Sequence, residues 1–332
     1  RGLGDVYKRQ ETNETVLKEI DFMQIGGFKV GHAEDPEAGT GCTVLLFDKQ
    51  ASAGVDVRGG GPASRETPLL NPVADCKGLH ALLLSGGSAY ALNAATGVMN
   101  YLEERGIGLA VGPTVVPLVC QSDIFDLGFG RADVRPDEAM AYRACKNASY
   151  SSVPQGNYGV GCGCTVGKLM GPENCMKSGI GCYAVQIGEL MVGAIVAVNA
   201  LGDVYDMQTG RLLAGCHKDG HLVSSEELLY KLAADQKLSN TNTTIGAIIT
   251  NAKMDKTTLC KVASMAHNGY ARTIRPVHTM ADGDSIYACS VGEVASDVNI
   301  VGTLAAHVMG MAVNNAVLHA ESMLGTIACR DL

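Results

Sequence analysis

The sequence has no tryptophan and only 5 phenylalanines and 11 tyrosines in 332 residues. Its basic residues form no long stripe, and its net charge is −8. Nucleic acid is therefore excluded as the main partner, because such binding rests on positive surface and aromatic stacking. No apolar run reaches membrane-spanning length without a glycine or polar interruption, so no membrane partner is expected. There is no basic segment followed by an apolar one at the start. The 12 cysteines then read as small apolar residues of a reduced, cytoplasmic protein and not as a disulfide framework. Metal-ligand spacing is also missing. Cys162 and Cys164 form a C-x-C followed by Cys175 and Cys182, without the paired spacing and histidine company of a zinc site. No H-E-x-x-H occurs. His217 and His221 stand four apart but among Gly215 and Gly220, which suggests a surface loop. Neither a metal nor a cofactor is expected.

What is present suits a large packed core: 46% of residues are hydrophobic, 18% are charged, and 41 glycines are spread among apolar runs. No Ser/Pro-rich or charged linker and no repeat interrupts the chain, so 11–332 is taken as one domain. Arg1–Gln10 fits nothing that follows and is set aside as an artefact or disordered leader. Buried strands are expected at Thr43–Asp48, Leu79–Leu84, Gly181–Ile187, Val192–Asn199, Ile245–Thr250 and Ser285–Cys289. Helices are expected over Ala89–Leu102, ended by Gly106, and near Glu226–Ala234, Lys256–Asn268 and Ala295–His319. Between them, Asp235–Asn242 is polar and looks loosely held. Comparable amounts of helix and strand imply layered α/β packing. Met309 and Met311 in the last helix read as core or subunit interface.

Three places could carry chemistry. Gly86-Gly87-Ser88 joins a strand to a helix, where free N–H groups could meet a ligand, or the glycines could simply let the helix pack closely. Asn199 ends a nearly continuous apolar strand, as a cap or as a donor. Asn242-Thr243-Thr244 precedes an apolar β-branched run. Cleavage before Thr243 would put a hydroxyl nucleophile and a free α-amine in one residue, and the amine titrates near 7.7–8.0 when unperturbed. The same nitrogen inside an intact chain is an amide and cannot act as a base. Asp282-Gly283-Asp284, if extended, would point both carboxylates one way; the alternative is a solvated turn.

Several segments together resemble one family, the self-processing L-aminopeptidase/D-esterase hydrolases with an N-terminal nucleophile, which include β-aminopeptidases and nylon-oligomer (6-aminohexanoate) hydrolases. They are Val30-Gly-His32, Glu37-Ala-Gly-Thr-Gly41, Ala53-Gly-Val-Asp-Val-Arg-Gly-Gly60, Arg65-Glu-Thr67, Leu84-Ser-Gly-Gly-Ser-Ala89, Tyr101-Leu-Glu-Glu-Arg-Gly-Ile-Gly108, Ile124-Phe-Asp-Leu127, Gly163-Cys-Thr-Val-Gly-Lys168 and Asn242-Thr-Thr-Ile-Gly246. The resemblance implies a four-layer αββα sandwich and a cut between Asn242 and Thr243. The pieces 1–242 and 243–332 would stay together, in a homo-oligomer of processed heterodimers. It also implies roles. Thr243 is the nucleophile, Asp282 and Asp284 serve it, Asn199 is an oxyanion donor, and Lys168 is an active-site cation. Phe125 stands where the nylon-hydrolase branch carries a tyrosine, which removes a hydroxyl. Asp126 could bind a substrate amine, and Gly86, Gly87 and Ser88 could line the substrate site. The implied reaction is hydrolysis of peptide-like or ω-/β-amino acid amides through an acyl-enzyme, without cofactor or metal, on a small-molecule or short peptide substrate. Two rival expectations are an acyl transferase like the ornithine acetyltransferases, and an uncleaved small-molecule binder.

Overall fold

A computed structural model describes residues 17–232 and 242–332. Arg1–Gln10, the end of the helix expected at Glu226–Ala234, and nearly all of the polar stretch before Asn242 lie outside the described residues. Ten strands are hydrogen-bonded together, nine of them along one path: β1 (Lys18–Ile20), β2 (Phe28–Asp35), β3 (Thr40–Val57), β4 (Ala63–Arg65), β5 (Leu79–Ser85), β6 (Val119–Asp123), β7 (Ile180–Ile187), β8 (Leu190–Asn199), β9 (Thr243–Ala252) and β10 (Ser285–Val294). Among the described residues, five α-helices accompany them: α1 (Ala94–Glu103), α2 (Glu138–Asn147), α3 (Ser225–Leu232), α4 (Lys256–Thr273) and α5 (Val298–Leu318). The strand order is β1-β7-β8-β9-β10-β3-β5-β6-β4, with β2 on β3.

The path folds into two sheets because β3 serves both. Its residues 52–57 pair with β10, and its residues 42–46 pair with β5, with a register shift between Leu46 and Ala51. This is why the strand expected at Thr43–Asp48 runs far longer. Strand alternation then sorts the apolar side chains into three cores. Ile195, Ala197, Ile245, Ala247, Leu45, Leu82 and Tyr287 meet between the sheets. Val196, Val198 and Ile248 face outward, against Tyr270 of α4 and Met309 of α5. Val44, Ala81 and Leu83 face outward on the other side, against Val98 of α1 and Met140 of α2. The result is an αββα sandwich, as the resemblance implies.

Local chemistry sets the helix starts. The side chains of Asp137, Asp255 and Asp297 accept from the main-chain N–H of Met140, Thr258 and Asn299. Each cap satisfies a donor that the first turn leaves open. Asp297 therefore places the start of α5 at Val298, later than its apolar pattern suggests. Helix α5 is long and apolar enough to cross a membrane by length and composition, yet its buried face is part of the outer core.

The helix expected from Ala89 also begins later. Gly87 (φ 83°) and Ser88 (φ 54°) are left-handed, and a 3-10 turn, Ser88–Ala91, precedes α1. Residues 217–218 and 221–222, expected as a loop, form a small two-stranded hairpin.

Candidate active site

Thr243 opens β9, in the middle of its sheet. Antiparallel pairing with β8 sets Thr243 opposite Asn199, and parallel pairing with β10 sets Ile245 beside Ser285. The register thus delivers Asn199, the Asn242–Thr243 junction and the Asp282–Asp284 turn to one end of three adjacent strands. All five of Asn199, Asn242, Thr243, Asp282 and Asp284 are buried.

The junction is held as a reacting group would be. The Thr243 hydroxyl donates to the Asn242 carbonyl oxygen, and the Gly283 N–H donates to the same oxygen at 2.9 Å. The Asn242 N–H donates to the Ala281 carbonyl at 2.7 Å. A Cβ on Gly283 would lie 2.8 Å from Thr243 Oγ1, so only glycine lets this backbone come so near the hydroxyl. Behind the turn, the main-chain N–H groups of Arg58 and Gly61 donate to the carbonyls of Asp284 (2.9 Å) and Asp282 (2.8 Å). A Cβ on Gly59 would fall 2.3 Å from the Asp284 nitrogen.

The two carboxylates are held differently and do not simply point together as an extended Asp-x-Asp would. Asp282 Oδ2 accepts from Thr279 N (2.9 Å) and Thr279 Oγ1 (2.6 Å). Burial raises the Asp282 carboxyl to about 6, Asp284 adds to the rise, and Thr279 and Lys168 oppose it. Asp284 Oδ1 accepts from Thr244 N (2.8 Å), and its Oδ2 accepts from His278 N (3.0 Å) and faces His278 Nδ1 (2.9 Å).

Lys168 Nζ donates to Asn199 Oδ1 at 2.6 Å and to the Asn199 carbonyl at 3.2 Å. Burial lowers the Lys168 amine to about 8, against the pull of Asp282 and Asp126. An ammonium only donates, so it turns the Asn199 amide oxygen toward itself. Asn199 Nδ2 then donates to the Phe125 carbonyl at 2.8 Å, and one further hydrogen remains on that nitrogen. Asn199 and Lys168, 31 residues apart in the sequence, are joined side chain to side chain by the fold.

A cavity of about 660 Å³ adjoins the junction, lined by Asn242, Lys168, Thr165, Phe125, Phe129 and Glu173, with Leu324–Ile327 on another wall. Phe125, a candidate substrate contact in the sequence, is part of this wall. Asp126 also lines the cavity, but its oxygens are taken by Thr40 Oγ1 (2.6 Å) and Gly87 N (2.7 Å). It fastens the 126–130 segment to the Gly86–Ser88 turn, and burial pushes its carboxyl up. Gly86, Gly87 and Ser88 are not in the cavity wall. Their N–H groups are spent on Gly41 O, Asp126 Oδ1 and Ile124 O, so they are not the free donors the sequence suggests.

Sequence reasoning missed His278, Thr279, Phe129, Glu173 and the 324–327 turn. His278 and Thr279 stand just upstream of Asp282, but no periodicity marks them. Among the described residues, no group of three or more His, Cys, Asp or Glu side chains is arranged to hold a metal.

The fold defines a class, the N-terminal nucleophile hydrolase fold. Two solved structures carry the same architecture at 18% identity. The L-aminopeptidase D-Ala-esterase/amidase of Ochrobactrum anthropi, a variant of that fold, superposes with a TM-score of 0.70, covering 92% of this chain and 88% of its own. A β-aminopeptidase of Burkholderia sp. gives 0.65, covering 93% and 90%. The profile of peptidase family S58 matches residues 21–329. An uncharacterized aminopeptidase of Mycobacterium tuberculosis is 37% identical over 94% of this chain and 97% of its own. A 6-aminohexanoate-oligomer endohydrolase of Kocuria sp. is 30% identical over 87% and 79%. The chain belongs to peptidase family S58, and it is a hydrolase.

Proposed function

We propose that the protein cuts itself before Thr243 and then hydrolyses amide bonds as an aminopeptidase or amidase. The observation that carries this reading is the Thr243 hydroxyl resting on the Asn242 carbonyl, which Gly283 also polarises, at the wall of a large cavity. In processing, Thr243 Oγ bonds to the Asn242 carbonyl carbon and the C–N bond breaks. The hydroxyl proton passes, by way of Asp282, to the leaving nitrogen. Water then hydrolyses the ester, freeing the Asn242 carboxylate and the Thr243 amine. In turnover the amine becomes the base, Oγ attacks a substrate carbonyl, and a second water releases the acyl group. Lys168 and Asn199 carry the developing negative charge, for which one donor is worth about 2.7–4 kcal/mol.

Asn242 is the acyl side of the bond that Thr243 opens, and it lines the cavity. The cavity is therefore the acyl subsite, and its volume exceeds that of a single small amino acid. This favours extended acyl groups, in keeping with the 6-aminohexanoate oligomers named for the Kocuria relative.

The test is a denaturing gel with N-terminal sequencing. The wild type should give pieces 1–242 and 243–332, the smaller beginning Thr-Thr-Ile-Gly. Thr243→Ala should remain one folded, inactive chain. Cleavage elsewhere, or comparable turnover by the variant, would reject the nucleophile.

A further inference from the structure

His278 has no place in the mechanism above, yet it meets one carboxylate oxygen of Asp284 with two of its own nitrogens. Its backbone is left-handed, with φ 58°. That conformation lets one residue aim both its main-chain N–H and its ring at the same oxygen, Asp284 Oδ2, at 3.0 and 2.9 Å. A carboxylate accepts, so the ring nitrogen on it is Nδ1–H. The ring is held from behind by His267, whose centroid is 4.7 Å away and nearly perpendicular. His267 is itself fixed by donation from Nε2 to the Asp56 carbonyl at 3.0 Å. Tyr270, one turn further along α4, packs against both rings. The other Asp284 oxygen holds the Thr244 N–H, immediately after the nucleophile.

We propose that His278 is a positioning residue for the Thr243 site. By gripping one oxygen of Asp284 it fixes the carboxylate whose other oxygen holds the Thr244 amide, and so holds the Thr243 hydroxyl on the Asn242 carbonyl. His267 and Tyr270 serve as the wall that keeps the imidazole in place. Nucleophile and carbonyl must meet within a few tenths of an ångström of the reacting geometry, and a misplacement near 1 Å costs about 100-fold. This inference rests on the self-cleavage reading.

Self-cleavage supplies its own readout, since the full chain is its own substrate. Two variants separate grip from fold. His278→Gly accepts the left-handed backbone without strain and removes the ring. His278→Asn also tolerates that backbone, and its side-chain amide restores an N–H donor toward Asp284 Oδ2. The rate at which the pieces appear and the melting temperature are measured for both. The expected result is cleavage slowed about 10- to 100-fold in H278G, with H278N recovering to within a few-fold of wild type. Recovery should hold even if the two variants melt at the same temperature. Wild-type cleavage by H278G would overturn the proposal, as would equal slowing of both variants. Continued cutting by Thr243→Ala would overturn the self-cleavage reading instead, so the two failures are distinguishable.

Discussion

Asp282 sets chemistry against stability. Its ordinary value is 3.8, and burial raises it to about 6, so the folded state holds this proton more tightly than the unfolded chain. The resulting stabilisation is complete below about pH 4 and is lost as pH rises through about 6. Above pH 6 the ionised carboxylate is a cost that the folded protein carries for function. Asp282→Asn keeps the shape and an oxygen for Thr279. It should therefore be more stable than wild type at pH 7.5 by about 1–3 kcal/mol, and equal to it near pH 4, as urea titrations at both values would reveal. The same variant should cleave itself at least ~100-fold more slowly. Lys168 supplies the opposite limb. Cleavage should rise as Asp282 ionises near 6 and fall as the Lys168 ammonium is lost near 8. Lys168→Met should remove the alkaline limb. It should also move the acid limb upward, because the cation that holds the Asp282 carboxyl down is gone. Fragment yield against pH measures both, and an unmoved acid limb would place Lys168 outside the field of Asp282.

The elements around the site are joined backbone to backbone. The strap Arg58–Gly61 follows β3 and donates to the carbonyls of Asp282 and Asp284, while β9 enters on the other side. Gly59→Ala would press a methyl against the Asp284 nitrogen, a main-chain atom with no rotamer to give. About 2–4 kcal/mol of stability should be lost, along with most of the self-cleavage, because the turn moves relative to Thr243. A urea midpoint and a cleavage time course on one preparation would check it. Unchanged values for both would mean that the strap yields without disturbing the turn.

At the scale of the molecule, the proposed cut falls at the start of a central strand. Piece 1–242 brings β1–β8 and α1–α3; piece 243–332 brings β9, β10, α4 and α5. Strand β9 lies between β8 and β10, and α4 and α5 cover the outer face of that sheet. Severing one peptide bond before Thr243 leaves this pairing and burial intact. The pieces should therefore co-elute in gel filtration and part only in denaturant. Separation under native conditions would contradict that reading of the core.

The sequence by itself determined what depends on near neighbours. Short, nearly continuous apolar runs rich in β-branched residues placed β8 and β9 at Val192–Asn199 and Ile245–Thr250, helical spacing placed α4 and most of α5, and the Asn242-Thr243 junction stood out as a pattern within one segment. These are legible because the length of an apolar run, its β-branching and a helical period are written in consecutive residues. Tertiary structure decided the rest. It carried β3 through both sheets, delayed α1 by a left-handed turn, and spent Asp126 and the Gly86–Ser88 amides on each other. It turned Asn199 toward Lys168, and it put His278 against Asp284 with a ring of α4 behind. Each of these depends on partners from distant segments, through strand register and close backbone approach. No local periodicity records which distant groups will meet, because that is settled only when the sheets close over their shared core.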